Sequence, residues 1–490
     1  MLQNAGMSQY ILAIDQGTTG TTTLLIDHDL KVLAKNNCEF PQHYPKPGWV
    51  EHNPEEIWTS TLDAIRKTVQ QSKIDPKKIA AIGITNQRET TLLWDRKTGK
   101  SVGNAIVWQD RRTADRCEQL KKEGKEDFFK KKTGLVLDPY FSGTKLEFLL
   151  KNHKGDLAFG TVDSYLIYRL TGGKAHVTDV TNASRTLLMN LETLQWDKDL
   201  LDIFKIPKSF LPQIVSCSEI YGKTQGVPGL PDGLPIAGMA GDQQAAFIGQ
   251  ACFDVGQAKC TYGTGSFILI NIGQEPKPSK HGLLTTVGFQ IGNKTIYAWE
   301  GSAFIAGAAV QWLRDGLKII QKSSDVELLA AQVESSDGVT FVPALVGLGA
   351  PHWRSEARGI ISGITRGTTS AHLARATLEG IAFCQYDILE SMTKDLGKNL
   401  SILKVDGGAA VNNLLMQFQS DILQTPISRP FMLETTALGA AFLAGLGVGI
   451  WKDLNDIRKS WKEERKFVPQ MPKKEVEDKI KNWRAAISKS

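Results

Sequence analysis

Six cysteines are scattered through 490 residues, and no two of them stand as a CxxC pair. The eight histidines include no HExxH spacing, so no zinc site is expected. Thiols distributed this way are expected to stay reduced in a cytoplasmic protein. Long hydrophobic runs are also missing. The longest, ALGAAFLAGLGVGI from Ala437 to Ile450, is too short and too glycine-rich to span a bilayer, and reads as a buried helix. No basic segment precedes the first apolar run, YILAID, and Asp15 interrupts that run, so it does not read as a secretory leader. Whether Met1 or Met7 is the first residue stays open. A strong charge of either sign is lacking as well. The formal +6 is small for this length and is partly concentrated in RKSWKEERKFVPQMPKKEVEDKIKNWRAAISKS. That basic tail, from about residue 455, reads as a solvated amphipathic helix rather than a nucleic-acid arm.

What is present fits a soluble globular protein: 41% hydrophobic residues, 22% charged and 45 glycines. The length exceeds one ordinary core, so two large domains are expected. The runs YILAID, TTLLID and KVLAKN predict hairpin strands, followed by a helix over PEEIWTSTLDAIRKTVQQ, a strand over IAAIGI and a helix over RTADRCEQLKKE. Such alternation predicts α/β layers around a largely buried sheet. After the loop-rich GVPGLPDGLP the pattern restarts, with two strands about a glycine turn in AKCTYGTGSFILINIG and a long helix over SAHLARATLEGIAFCQYDILESMTKDL. The boundary is placed near Phe253. One internal echo pairs ILAIDQGTT with ILKVDGGAA and suggests related halves.

Three glycine-containing turns have the character of phosphate sites. In AIDQGTTGTTTLLID, a strand delivers Asp15 and then Gly17, Thr18, Thr19 and Gly20 turn the chain. Successive N–H groups of such a turn form an anion-binding concavity, and threonine hydroxyls add donors. Asp15 beside that concavity would repel phosphate unless a cation intervened, which implies Mg²⁺ held largely through water. CTYGTGSF repeats the device at Gly263, Thr264 and Gly265. In VDGGAAVNN, Asn412 is placed to cap a helix whose apolar face is Leu414, Leu415, Phe418 and Ile422. The glycine pair there suits either the negative end of a nucleotide or a flat base and ribose. Walker A is excluded: TGKS and YGKT both lack the required upstream glycine, with Trp94 and Cys217 in its place.

The stretch ITNQRETT poses a different problem. A buried strand ends in Asn86, Gln87, Arg88 and Glu89. Buried ions are costly unless paired or given a ligand, so either the strand surfaces or something polar meets these groups. A surface salt bridge is one reading. The other is a polyol, whose adjacent hydroxyls satisfy a guanidinium fork and a carboxylate together. For both side chains to reach one ligand, the chain must leave strand geometry here.

With these motifs in place, the chain resembles the FGGY carbohydrate kinases, which share the actin-like (ribonuclease H-like) ATPase fold. The marks are Asp-x-Gly-Thr-Thr, AGDQQAAFIGQ, VDGGAAVNN and GIISGITRGTTSAHLARATLE. Within the family, PKPGWVEHNPEEIW, GITNQRET, NAIVWQDRRT, LDPYFSGTKL and GAPHWRSEARG resemble the members that act on glycerol. The resemblance implies an α/β protein of two domains, 8–252 and 253–490, with the active site in the cleft between them. It implies transfer of the ATP γ-phosphate to glycerol, with Mg²⁺, giving sn-glycerol 3-phosphate and ADP. Arg88, Glu89 and Tyr140 are implied as partners of the polyol hydroxyls, Trp108 and Phe267 as apolar walls, Gln243 as a further contact and Asp242 as catalytic base. On the residues alone, Asp242 is equally a helix cap and the aromatics are equally core. The nucleotide positions implied are Thr18, Thr19, Gly20, Thr264, Gly307, Gln311, Gly408 and Asn412. Gly307 and Gln311 also suit plain helix packing. The resemblance further implies a homodimer or homotetramer in the cytoplasm.

Two rivals are open at this point: an actin-fold ATPase that binds polypeptide, and a family member acting on xylulose or gluconate. This chain also departs from the family pattern. Gly20 and Thr22 stand where many members have serine and arginine, and Phe148 stands for tryptophan. The VPGLPDGLP loop lacks the Gly/Arg-rich character of relatives that bind fructose 1,6-bisphosphate, so no response to that effector is expected.

Overall fold

The protein is described by a computed structural model covering residues 10–354 and 356–490; the Met1 or Met7 choice lies outside the described residues. The first half builds a six-stranded sheet from β1 (Tyr10–Gln16), β2 (Gly20–Ile26), β3 (Val32–Glu39), β4 (Ile79–Asn86), β5 (Ser218–Lys223) and β6 (Pro235–Gly241), in the order β5-β6-β4-β1-β2-β3. β1, β4 and β6 are parallel, and the outer neighbours are antiparallel. Alternate residues of β1 face two different cores: Leu12 and Ile14 on one side, Ile11 and Ala13 on the other. That two-sided burial is why IAAIGI and YILAID read as nearly continuous apolar runs.

Helix α1 (Pro54–Ser72) covers one face through Ile57, Ala64 and Ile65. It starts where Asn53 accepts from the Glu55 N–H with Pro54 in the first turn, and it ends at left-handed Lys73. The helix expected over residues 112–123 forms as Ala114–Lys122.

The second half builds a seven-stranded sheet from β7 (Ala258–Tyr262), β8 (Ser266–Gly273), β9 (Leu284–Ile291), β10 (Lys294–Ala303), β11 (Leu403–Asp406), β12 (Ile427–Pro430) and β13 (Glu463–Phe467). The order is β9-β10-β8-β7-β11-β12-β13. The five strands β3-β2-β1-β4-β6 and the five strands β10-β8-β7-β11-β12 share one pairing pattern, two antiparallel contacts followed by two parallel ones. The halves therefore repeat each other. The echo in the sequence pairs the wrong strands, however. By topology β1 corresponds to β7 and β11 to β4, because both Asp15 and Asp406 close a parallel central strand but only β1 opens its sheet.

Helices α2 (Asp242–Gly249) and α6 (Thr435–Gly447) lie against each other at the junction of the halves. Their contact is backbone on backbone: a Cβ on Gly439 would stand 1.8 Å from the Ala245 carbonyl, and one on Gly249 2.0 Å from that of Thr435. α6 also packs on the first sheet, where a Cβ on Gly83 would meet the Ala440 carbonyl at 2.1 Å. The cut near Phe253 thus separates the two sheets in sequence, while α6, from the second half, completes the core of the first. The apolar run ALGAAFLAGLGVGI is this helix, ending at Gly447 rather than Ile450.

The basic tail is not one solvated helix. Residues Glu463–Phe467 form the edge strand β13, whose charged side chains stay exposed and guard that edge. Helix α7 (Lys473–Ile487) then docks through Val476, Trp483, Ala486 and Ile487, with Trp483 stacked on Phe383 at 5.1 Å. Phe148 meets Trp49 edge-on at 5.9 Å.

Candidate active site

The central strand β4 does not surface. Asn86, Gln87, Arg88 and Glu89 are all buried, at 0–3% exposure. The strand ends at Asn86, and Glu89 takes a left-handed φ of 61°. A non-glycine residue in that region is strained, and here the strain re-aims the Glu89 side chain to the same side as Arg88. Their closest approach is 3.9 Å, so the two are not primarily each other's partners.

Arg88 is held by a residue that the sequence reading missed. Glu300, in β10 of the second sheet, takes the guanidinium in a two-pronged contact: Nη1 donates to Oε2 at 2.6 Å and Nη2 to Oε1 at 3.0 Å. A second missed residue, Arg185, donates from Nε to Glu89 Oε1 at 2.6 Å and from Nη2 to Glu300 Oε1 at 3.0 Å. Arg88, Glu89, Arg185 and Glu300 form a buried, charge-balanced quartet spanning both halves. Burial alone would raise the Glu300 carboxyl, but Arg185 and Arg88 outweigh it and hold it below the usual range. For Glu89 burial wins over the same two arginines, and its carboxyl is pushed up. The signals for the missed pair were single charges in apolar settings, Glu300 in YAWEGSAF and Arg185 in NASRTLL.

The remaining polyol candidates converge on Arg88. Nη2 also donates to the Tyr140 hydroxyl and Nη1 to Gln244 Oε1, each at 3.2 Å. Asp242 Oδ1 stands 3.2 Å from Nε. Asp242 opens α2 but is not its cap, since that position is Gly241; it accepts instead from the Gln243 N–H at 2.7 Å. Its side chain is about one-third exposed, unlike the sealed quartet. Trp108 meets Tyr140 and Phe267 edge-to-face, with ring centroids at 5.8 and 6.5 Å, and the Arg88 guanidinium lies over the Phe267 ring. The Gln243 side-chain carbonyl accepts from the buried Lys259 ammonium, which also donates to Thr261.

Lys145, also buried, donates to the Tyr140 carbonyl at 2.7 Å and so fixes that aromatic wall from behind. Burial pushes its ammonium down to about 7 against the pull of Glu89, Asp110 and Asp138.

The nucleotide candidates fall into two groups. Thr264, Gly307, Gln311, Gly408 and Asn412 line one cavity of about 420 Å³ in the second half. Thr18, Thr19 and Gly20 form the β1–β2 turn of the first, tied to the aromatic wall where Trp108 Nε1 donates to Thr18 Oγ1 at 3.0 Å. The Gly263–Gly265 turn rests on helix α3 (Gly307–Asp315), whose first N–H groups donate to the carbonyls of Gly263 and Thr264. Gly307 is therefore both a cavity wall and a packing necessity, since a Cβ there would meet the Gly263 carbonyl at 2.7 Å.

Asn412 caps helix α5 (Asn413–Leu423) as expected, accepting from the Leu415 N–H at 2.8 Å. The first two N–H groups of that helix, those of Asn413 and Leu414, donate to Glu327 Oε1 at 2.9 and 3.1 Å. That helix end is therefore already met by a carboxylate. Gly408 stands open beside it, with no atom within 4 Å of a would-be Cβ, which suits a flat base or ribose across bare backbone.

Asp15 lies at the end of β1, facing Thr22 of β2. Burial, reinforced by Asp242 and Glu434, pushes its carboxyl up to about 7. Among the described residues no three acids, histidines or cysteines are grouped to ligate a metal directly.

Residues 10–249 match the N-terminal domain of the FGGY family of carbohydrate kinases, and residues 258–448 match its C-terminal domain. The chain is 55% identical to the glycerol kinase of Myxococcus xanthus, over 99% of both proteins. It is 53% identical to glycerol kinase 2 of Thermotoga maritima, covering 98% of this chain and 99% of that one. Among solved structures it is similar to Plasmodium falciparum glycerol kinase with ADP, at 41% identity and a TM-score of 0.90 over 98% of each chain. A gluconate kinase from Lactobacillus acidophilus aligns at 28% identity and a TM-score of 0.87, over 98% of this chain and 97% of that one.

Proposed function

The chain belongs to the FGGY family of carbohydrate kinases, and from that premise we propose that its cleft transfers the γ-phosphate of ATP to glycerol, giving sn-glycerol 3-phosphate and ADP. The observation that carries this reading is the convergence of Glu89, Tyr140, Phe267 and Asp242 on the buried Arg88 guanidinium. A three-carbon polyol has an apolar edge for Trp108 and Phe267 and a row of hydroxyls for the charged side.

Arg88 has five N–H groups: four donate to Glu300, Tyr140 and Gln244, and Asp242 Oδ1 lies 3.2 Å from the Nε that carries the fifth, as an ion-pair contact. A polyol hydroxyl reaches Arg88 at Nε, beside Asp242, or by exchange with one of the other partners. Glu300 is the least replaceable, being fully buried and two-pronged. Tyr140 and Asp242 are the natural ones to yield, which turns Asp242 toward the hydroxyl that Arg88 has just taken up. Asp242 then orients the terminal hydroxyl and accepts its proton as the bond to phosphorus forms. Holding that oxygen in line is worth much of the rate. The threonine and glycine donors of the two turns, 18–20 and 263–265, meet the developing phosphoryl charge.

The residues fit Mg²⁺. Asp15 is a hard oxygen donor in an acid-rich corner, which suits an ion held mainly by water and phosphate. When bound, Mg²⁺ supplies charge neutralisation at the transferring phosphoryl group.

The xylulose or gluconate reading calls for a roomier pocket than the packed rings of Trp108, Tyr140 and Phe267 suggest. A polypeptide-binding ATPase has no use for the Arg88 cluster. Six buried, unpaired thiols suit the cytoplasm, and among the described residues no helix is long and apolar enough to cross a membrane. A dimer or tetramer belongs to the same reading. The test is coupled ADP release with a panel of substrates. Turnover should depend on glycerol, and preference for xylulose or gluconate, or dependence on a protein partner, would replace this reading.

A further inference from the structure

The β1–β2 phosphate turn carries no cation of its own: no lysine or arginine stands between Asp15 and Lys31. At the end of the turn, Thr22 Oγ1 accepts from Asn37 Nδ2 at 2.8 Å. Asp15, Thr22 and Asn37 lie in one register row across β1, β2 and β3, so they share a face of the sheet. Lys35, two residues from Asn37 on the edge strand, projects from that same face. It points across the cleft, where its Nζ pairs with Glu434, the residue that precedes α6.

The setting is acidic. Asp242 and Glu434 both press on the Asp15 carboxyl, and Lys35 is the one group that relieves it. The Lys35 and Glu434 side chains are 43% and 41% exposed, so water and ligand reach this pair. An exposed pair of this kind is weak and readily exchanged, whereas an ammonium meeting a phosphate forms a charge-assisted contact.

We propose that Lys35 is the phosphate-binding cation of this cleft: when ATP binds, its Nζ leaves Glu434 and contacts the terminal phosphates at the 18–20 turn. The inference rests on the kinase reading above. It assigns a residue that no glycine-turn or helix-end feature of the sequence points to, because Lys35 reaches the site from an edge strand.

The test is calorimetric binding of AMP, ADP and ATP, each with Mg²⁺, to the full chain and to Lys35→Met, Lys35→Arg and Glu434→Gln. Lys35→Met should weaken ATP about tenfold, ADP less and AMP not at all, since one lost charge contact scales with phosphate number. Lys35→Arg should largely restore ATP. Glu434→Gln should bind ATP at least as tightly as wild type, because it frees the lysine and removes a repelling charge. The proposal is overturned if Lys35→Met binds ATP like wild type, or if it weakens AMP as much as ATP. It is equally overturned if Glu434→Gln loses as much as Lys35→Met, which would make the pair a tie between the halves. Wild-type protein that binds no ATP would instead refute the kinase reading itself.

Discussion

Arg88 and Asp242 are 3.2 Å apart, yet they differ in what their removal should cost. Asp242→Asn keeps the size and most contacts while removing the proton acceptor, so kcat should fall by about two orders of magnitude or more with ATP binding nearly unchanged. Single-turnover kinetics beside ADP titration would check this; wild-type turnover would remove Asp242 from its role. Glu300→Gln acts differently, because it leaves two buried guanidinium groups with one carboxylate, Glu89. Breaking a buried pair this way should cost about 3–5 kcal/mol of stability. It should also raise the KM for glycerol, since Arg88 loses its anchor; urea unfolding and initial rates read the two effects separately. At this scale the sequence was partly legible. Arg88 and Glu89 stood out as charges at the end of a buried strand, with a surface salt bridge as the other reading, whereas Tyr140 was implied by the family resemblance alone. Glu300 and Arg185 were not legible, because each is a lone charge whose partner lies more than 90 residues away in the chain.

Elements decide how those side chains are presented. That the chain leaves strand geometry at Arg88 and Glu89 was expected from the need to bring two neighbours to one ligand; that it does so after Asn86, through a left-handed Glu89, was not. The cap at Asn412 was expected from residue type, but its neighbour Glu327, which accepts from the first two N–H groups of that helix, was not. Asn412→Ala should cost about 1 kcal/mol of stability through the lost cap and should weaken ADP, AMP and adenosine alike. Titrations that show a loss confined to the polyphosphates would contradict the base-and-ribose assignment.

Behind the first turn, His52 donates from Nε2 to Gln42 at 2.7 Å, while Nδ1 faces the Gln87 amide at 3.4 Å. Burial, helped by His43, holds this imidazole down to about 3, against 6.5 when unfolded. Because the folded value is depressed, this contribution to stability is complete above pH 6.5 and is lost as pH falls from 6.5 toward 3. Between pH 6.5 and 5 the loss should approach about 2 kcal/mol, and His52→Gln should flatten that slope in urea unfolding. An unchanged slope would show that His52 is not the titrating group.

For the whole molecule, alternation of strands and helices was enough to expect two α/β halves, and the repeat was visible though misregistered. The crossing of α6 onto the first sheet was not, since only the backbone contacts at Gly83 and Gly439 reveal it. Those contacts, with the quartet, join the halves. Closure of the halves over both substrates should expel water, so ATP hydrolysis without glycerol should be far slower than phosphotransfer. Fructose 1,6-bisphosphate at millimolar concentration should leave the rate unchanged; clear inhibition would overturn the reading of the VPGLPDGLP loop. The most direct measurement is a crystal structure with glycerol and a non-hydrolysable ATP analogue. It should place one terminal hydroxyl against Asp242, the others on Arg88 and Glu89, and the base in the cavity beside Gly408. Glycerol bound elsewhere, with Arg88 still fully engaged by its protein partners, would contradict the account.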